Sequence, residues 1–184
     1  MATVALVVTS AGAISYAALQ LRHERAYRTA ANLDKQLTFF LSDKFVEVRR
    51  RLAEARLEGT ELKAWTLDDP PMIAFGVLDF YEHLALLVKK GHLDIYDVWH
   101  TFYEWAQPVY VDMQPLIESD MSPYAEHYTD LQRLVRRMDS IQMKKMQTQK
   151  REHRELWTTE RIIEHYQYEL QGDGHSQWVR RRHE

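Results

Sequence analysis

The chain has 184 residues, 24 Lys and Arg against 27 Asp and Glu, and no cysteine. That composition excludes disulfides, thiolate zinc sites, iron–sulfur clusters and cysteine nucleophiles, and it suits a reducing compartment. With only six Gly and five Pro, it argues against a loop-rich or all-β fold and suggests one all-α domain behind the N-terminal segment.

From Ala2 to Leu21 there is no charged residue, and the first charges are Arg22, Arg25 and Arg28 at helical spacing, with Glu24 among them. Twenty helical residues rise about 30 Å, the thickness of one hydrocarbon core. The pattern predicts an N-terminal transmembrane helix over 1–21. Ala, Thr, Ser and Gly fill more than half of residues 2–21, so its hydrophobicity is modest. A cleaved signal peptide would place cations before the apolar stretch; here they follow it. The alternative is a soluble all-α protein whose first helix packs in the core or at a dimer interface. Under the positive-inside rule Arg22, Arg25 and Arg28 stay cytoplasmic. The expected protein is single-pass in the inner membrane, with its N-terminus out and residues 22–171 forming an irregular cytoplasmic helical bundle. Ala5, Thr9, Ala13 and Ala17 recur every four residues, a small-residue stripe that lets helices associate in lipid. Membrane lipid, further copies of the chain and an unidentified protein are the expected partners.

The first helix should run unbroken to Leu37 or Phe40. Ser42 or Asp43 can cap the next, with Phe45, Val48, Leu52 and Ala55 on one face and Gly59-Thr60 at its end. A short helical piece is expected around Leu62–Leu67. Asp68-Asp69-Pro70-Pro71 is a helix start, followed by an apolar face of Ile73, Val77, Phe80, Tyr81, Leu84, Leu87 and Val88. Lys89 and Lys90 suit the helix end, and Gly91 stops it. Asp94 can cap a helix carrying Ile95, Val98, Trp99, Phe102 and Trp105, which Pro108 is expected to limit. A separate short helix is expected over Val109–Ile117. Ser122-Pro123 should start a long helix with the stripe Tyr128, Leu131, Leu134, Val135, Met138, Ile141 and Met146. The apolar period fades from Gln147 to Glu155 and resumes at Ile162, Ile163, Tyr166 and Leu170. Residues 172–184, with Arg180, Arg181 and Arg182, read as a flexible basic tail.

The middle of the chain, Phe75-Gly76-Val77-Leu78-Asp79-Phe80-Tyr81-Glu82, then Gly91-His92-Leu93-Asp94, then Val98, Phe102 and Trp105, resembles a family of small bacterial proteins known as a domain of unknown function, number 4760. The resemblance covers roughly residues 2–116. It implies a membrane-anchored, all-helical cytoplasmic module and carries over no catalytic residue. Glu82 and Asp94 match the family's acidic positions.

For chemistry, the best constellation is Asp79, Glu82 and His83 on one helix with His100 and Glu104 on the next, Asp79/His83 and His100/Glu104 each being an i,i+4 pair. Two facing helices of a bundle can build a metal site, and a metal-binding helical enzyme is the alternative that this pattern keeps open. Against it, Asp79, Glu82, His83 and Lys90, like Asp97, His100, Thr101 and Glu104, lie opposite the apolar stripes and read as solvated faces. No Gly-rich phosphate loop or nucleophile elbow is present, so no catalytic residue and no cofactor is assigned.

Charge is segregated. Residues 20–53 hold eight cations and four anions, 54–130 four and fifteen, and 131–184 twelve and eight. The basic ends either lie near anionic headgroups or pair with the acidic middle. Residues 133–154 hold eight cations, but no aromatic interleaves them and the acidic middle repels a polyanion, which argues against nucleic acid.

Overall fold

The computed structural model describes residues 2–58, 72–118, 126–148 and 157–171, with the side chains of 2–15, Met72 and Leu116 outside that set. The described residues form an all-helical bundle of six helices and no strand: α1 Ala2–Phe40, α2 Asp43–Leu57, α3 Met72–Lys89, α4 Ile95–Ile117, α5 Thr129–Thr148 and α6 Thr159–Leu170. The expected Leu62–Leu67 helix, the Asp68–Pro71 start, Gly59-Thr60, Ser122-Pro123 and the tail 172–184 fall outside the described residues.

α1 is unbroken to Phe40, as the absence of Gly and Pro from Ala13 onward predicts. Ser42 then caps α2, its hydroxyl accepting the Phe45 N–H at 3.4 Å. This short corner turns Phe40 and Phe45 into one aromatic cluster with Phe80, Phe102 and Trp105. Their ring centroids lie 4.9–5.8 Å apart in mostly tilted and edge-on pairs, the arrangement that ring quadrupoles favour. Gly76 faces α2 across ordinary contact distance, since a Cβ there would stand 3.6 Å from Val48 Cγ1.

The turn between α3 and α4 follows its sequence signals. Gly91 takes φ +73°, a conformation that a Cβ disfavours. The His92 N–H donates to the Leu87 carbonyl at 2.9 Å, closing the end of α3. Asp94 then accepts the Tyr96 N–H at 2.7 Å as the cap of α4.

Two sequence expectations are corrected. Pro108 does not limit α4, which runs to Ile117 with Pro108 and Pro115 inside it and absorbs the expected Val109–Ile117 helix. A proline inside a helix costs about 3 kcal/mol. Burial of Val109, Tyr110, Met113 and Ile117 beyond it, at roughly 1.5–3 kcal/mol for each large side chain, outweighs that cost. The long helix after Pro123 begins at Thr129, with residues 126–128 in a turn. The predicted stripe of α5 is otherwise sound: Tyr128, Leu131, Leu134, Val135 and Met138 are buried. α2 packs on α6 and α3, α5 on α3 and α4, and α6 also on α4.

Candidate functional site

α1 is the one described helix that runs far beyond the bundle. Residues 16–28 are exposed without exception. Tyr16, Leu19, Leu21 and Tyr27, all large apolar or aromatic groups inside α1, are each more than half exposed. Arg22, Arg25 and Arg28 lie in this segment, with Arg28 ion-paired to Glu24 one turn away. Ala17 of the small-residue stripe is exposed, while the side chains of Ala5, Thr9 and Ala13 lie outside the described residues. From residue 16 onward, contact with the bundle starts towards the C-terminal end of the exposed segment. Arg25 Nη2 stands 3.5 Å from where a Cβ on Gly91 would be. Asn32 donates from its side-chain amide to the His92 carbonyl at 3.2 Å. Leu33 and Leu37 pack on the core, and Gln36 and Phe40 are buried. Among the described residues no helix is long and apolar enough to cross a membrane. Most of the expected anchor, residues 2–15, has side chains outside that set.

The expected metal constellation is not brought together. Asp79 accepts the Tyr128 hydroxyl at 2.9 Å, and the neighbouring Glu82 accepts the Leu131 N–H at 2.6 Å. Both acids of α3 therefore face the start of α5; Asp79 is exposed, as its reading on a solvated face expects, while Glu82 is half-buried there. Glu82 supplies from another helix the acceptor that the first N–H groups of α5 need. Partial burial raises its pKa, while the backbone N–H donors pull it back down. His83 and His100 are exposed. Among the described residues no group of three or more His, Asp or Glu could hold a metal ion.

The most perturbed groups are ones that sequence reasoning passed over. Arg49 and Arg56 of α2 are buried at 7% and 5% exposure. Arg49 pairs with Glu169 of α6 at 3.4 Å and lies over the Phe40 ring, 3.9 Å from its centroid. Arg56 grips Asp112 of α4 through Nε, at 2.6 Å, and Nη2. The Tyr166 hydroxyl donates to the same carboxylate at 2.8 Å. Burial raises the Tyr81 and Tyr166 hydroxyls and the Glu169 carboxyl. Burial, then the Arg49 charge, lowers His165 to about 3, so its ring is neutral at ordinary pH. A second cluster joins α4 to α5, where Tyr103 and Gln107 donate to Asp139 at 3.0 and 3.1 Å. Desolvation nevertheless raises the Asp139 pKa.

A signal for the arginines was present in the sequence. Phe45, Arg49, Leu52 and Arg56 follow the i, i+4, i+7, i+11 period of one helix face. The predicted stripe kept Val48 and Ala55, which are half-buried, in place of the two cations, which are buried. These clusters join α2 to α4 and α6, and α4 to α5. A surface depression of about 500 Å³ does lie between α2 and the end of α6, lined by Arg51, Glu54, Ala55, Leu57, Glu58 and Leu170. Its polar lining is one guanidinium and two carboxylates, with no hydroxyl or imidazole among them. Comparisons with family models, curated proteins and solved structures give no match to this chain.

Proposed function

We propose that the chain is a membrane-anchored helical interaction module. Residues 2–21 hold it at a bilayer, and the bundle of α2–α6 with the end of α1 is presented on the cytoplasmic side. The observation that carries this reading is the exposed run of residues 16–28, continuous with a charge-free segment and closed by Arg22, Arg25 and Arg28. An isolated helix of this length is marginal in water, and a helix exposed all round needs another surrounding. Tyr16 precedes the basic collar and Tyr27 lies within it, on either side of the membrane interface that aromatic side chains favour. Self-association through Ala5, Thr9, Ala13 and Ala17 belongs to the same reading. So does membership of the family that the α3–turn–α4 residues resemble.

Fractionation of the full chain tests it. The protein is expected in the membrane fraction, released by detergent and retained in high salt. Recovery in the soluble fraction without detergent, with residues 1–21 still attached, would overturn the anchor and favour a dimer interface along α1.

A further inference from the structure

We propose that the turn between α3 and α4, with Lys90, Gly91 and His92 at its tip and Arg25 laid against it, is a second bilayer contact that seats one end of the bundle in the anionic headgroup layer. The inference rests on the anchor reading above and adds to it an orientation of the bundle.

The geometry comes from α1 acting as a ruler. If the hydrocarbon ends at Leu21, Arg25 lies about 6 Å further along the helix and Asn32 about 16 Å. Those two residues touch the turn, at Gly91 and at the His92 carbonyl. The headgroup region on each side of a bilayer is roughly 5–8 Å deep. The two contacts bracket the turn between these heights, from the headgroup layer to about one Debye length, ~8 Å, beyond it. Tilting of α1 shortens these heights.

The charges fit an anionic surface. Lys90, Gly91 and His92 are exposed, and no ion pair among the described residues engages Arg22, Arg25 or Lys90. Two of the acids nearby are ion-paired: Glu24 with Arg28, and Asp130 with Lys89 and Arg133. Asp34 on α1, Asp94, whose cap bond to Tyr96 leaves its charge in place, and Asp97 on α4 remain as opposing charges, all exposed. The tight Gly91 turn keeps the tip narrow, so Lys90 can reach phosphates without burying acidic neighbours.

The absence of cysteine allows a direct test with the full chain in vesicles. Ala11→Cys and His92→Cys, each labelled with a fluorophore, are reconstituted in phosphatidylcholine with or without phosphatidylserine. Quenchers are carried on the acyl chain or on the headgroup. The label at residue 11 should be quenched from the acyl chain in both lipids. The label at residue 92 should be quenched from the headgroup, and more strongly with phosphatidylserine. Lys90→Glu in the His92→Cys background should shift the docked fraction at least fivefold, the factor expected for about one interfacial charge. Quenching at 11 without quenching at 92 would overturn this inference and leave the anchor standing. Quenching at 92 that ignores both phosphatidylserine and Lys90→Glu would also overturn it. No quenching at 11 would overturn the anchor and the inference together.

Discussion

The buried pair between Arg49 and Glu169 makes an asymmetric prediction. At 3.4 Å, two unit charges attract by about 5 kcal/mol at an effective dielectric constant of ~20. Taking each ion out of water costs several kcal/mol, so the intact pair is close to neutral in stability. Removing one partner exposes the uncompensated cost. Glu169→Met strands a guanidinium that cannot lose its proton, and should destabilise the bundle by roughly 3–5 kcal/mol. Arg49→Met leaves a carboxyl that burial already raises. That carboxyl can take up a proton, so the loss should be smaller and pH-dependent.

The direction of the pH effect follows from linkage. A folded-state pKa above the unfolded value of about 4.3 gives stability that is present at low pH and lost as pH rises through the folded value. Arg49 is the charge that pulls Glu169 down, so its removal widens this window upward. Denaturant unfolding in a fixed detergent, followed by far-ultraviolet circular dichroism, should therefore show Arg49→Met recovering stability as pH falls from about 8 to about 5. Glu169→Met should show no such recovery. The double variant with methionine at both positions should come back to within about 1–2 kcal/mol of the parent, or exceed it. Equal losses in the two single variants at every pH, with no recovery in the double, would refute the reasoning.

Other consequences are local. Glu82→Ala should cost about 1–2 kcal/mol, and hydrogen exchange should show faster exchange at the Leu131 amide before the rest of α5 is affected. Gly91→Ala should cost about 1–2 kcal/mol in thermal unfolding, from φ alone, because the nearest atom, Arg25 Nη2, leaves ordinary contact distance. Tyr166→Phe removes the hydroxyl donated to Asp112 while Arg56 keeps hold of the carboxylate, so the loss should stay near 0.5–1.5 kcal/mol.

Local signals carried much of the fold. The caps at Ser42 and Asp94 and the stop at Gly91 depend on backbone groups within a few residues, and each was readable from its own segment. The apolar period gave the buried face of α5. The reading failed where a side chain's meaning depends on a distant helix. Pro108 carries the same local helix-breaking signal in any sequence; only the burial of Tyr110, Met113 and Ile117 against neighbouring helices outweighs it. Glu82 looks like part of a solvated face until the start of α5 is laid against it.

The sequence by itself determined the all-α class, the breaks at Ser42 and Gly91–Asp94, and the charge-free start followed by Arg22, Arg25 and Arg28, because these are written in neighbouring residues. Tertiary structure alone decided that Arg49 and Arg56 lie inside, since burying a cation is tolerable only where Glu169 and Asp112 arrive from α6 and α4 to meet it. It also decided that α1 leaves the bundle beside the α3–α4 turn, because Asn32 finds the His92 carbonyl sixty residues away.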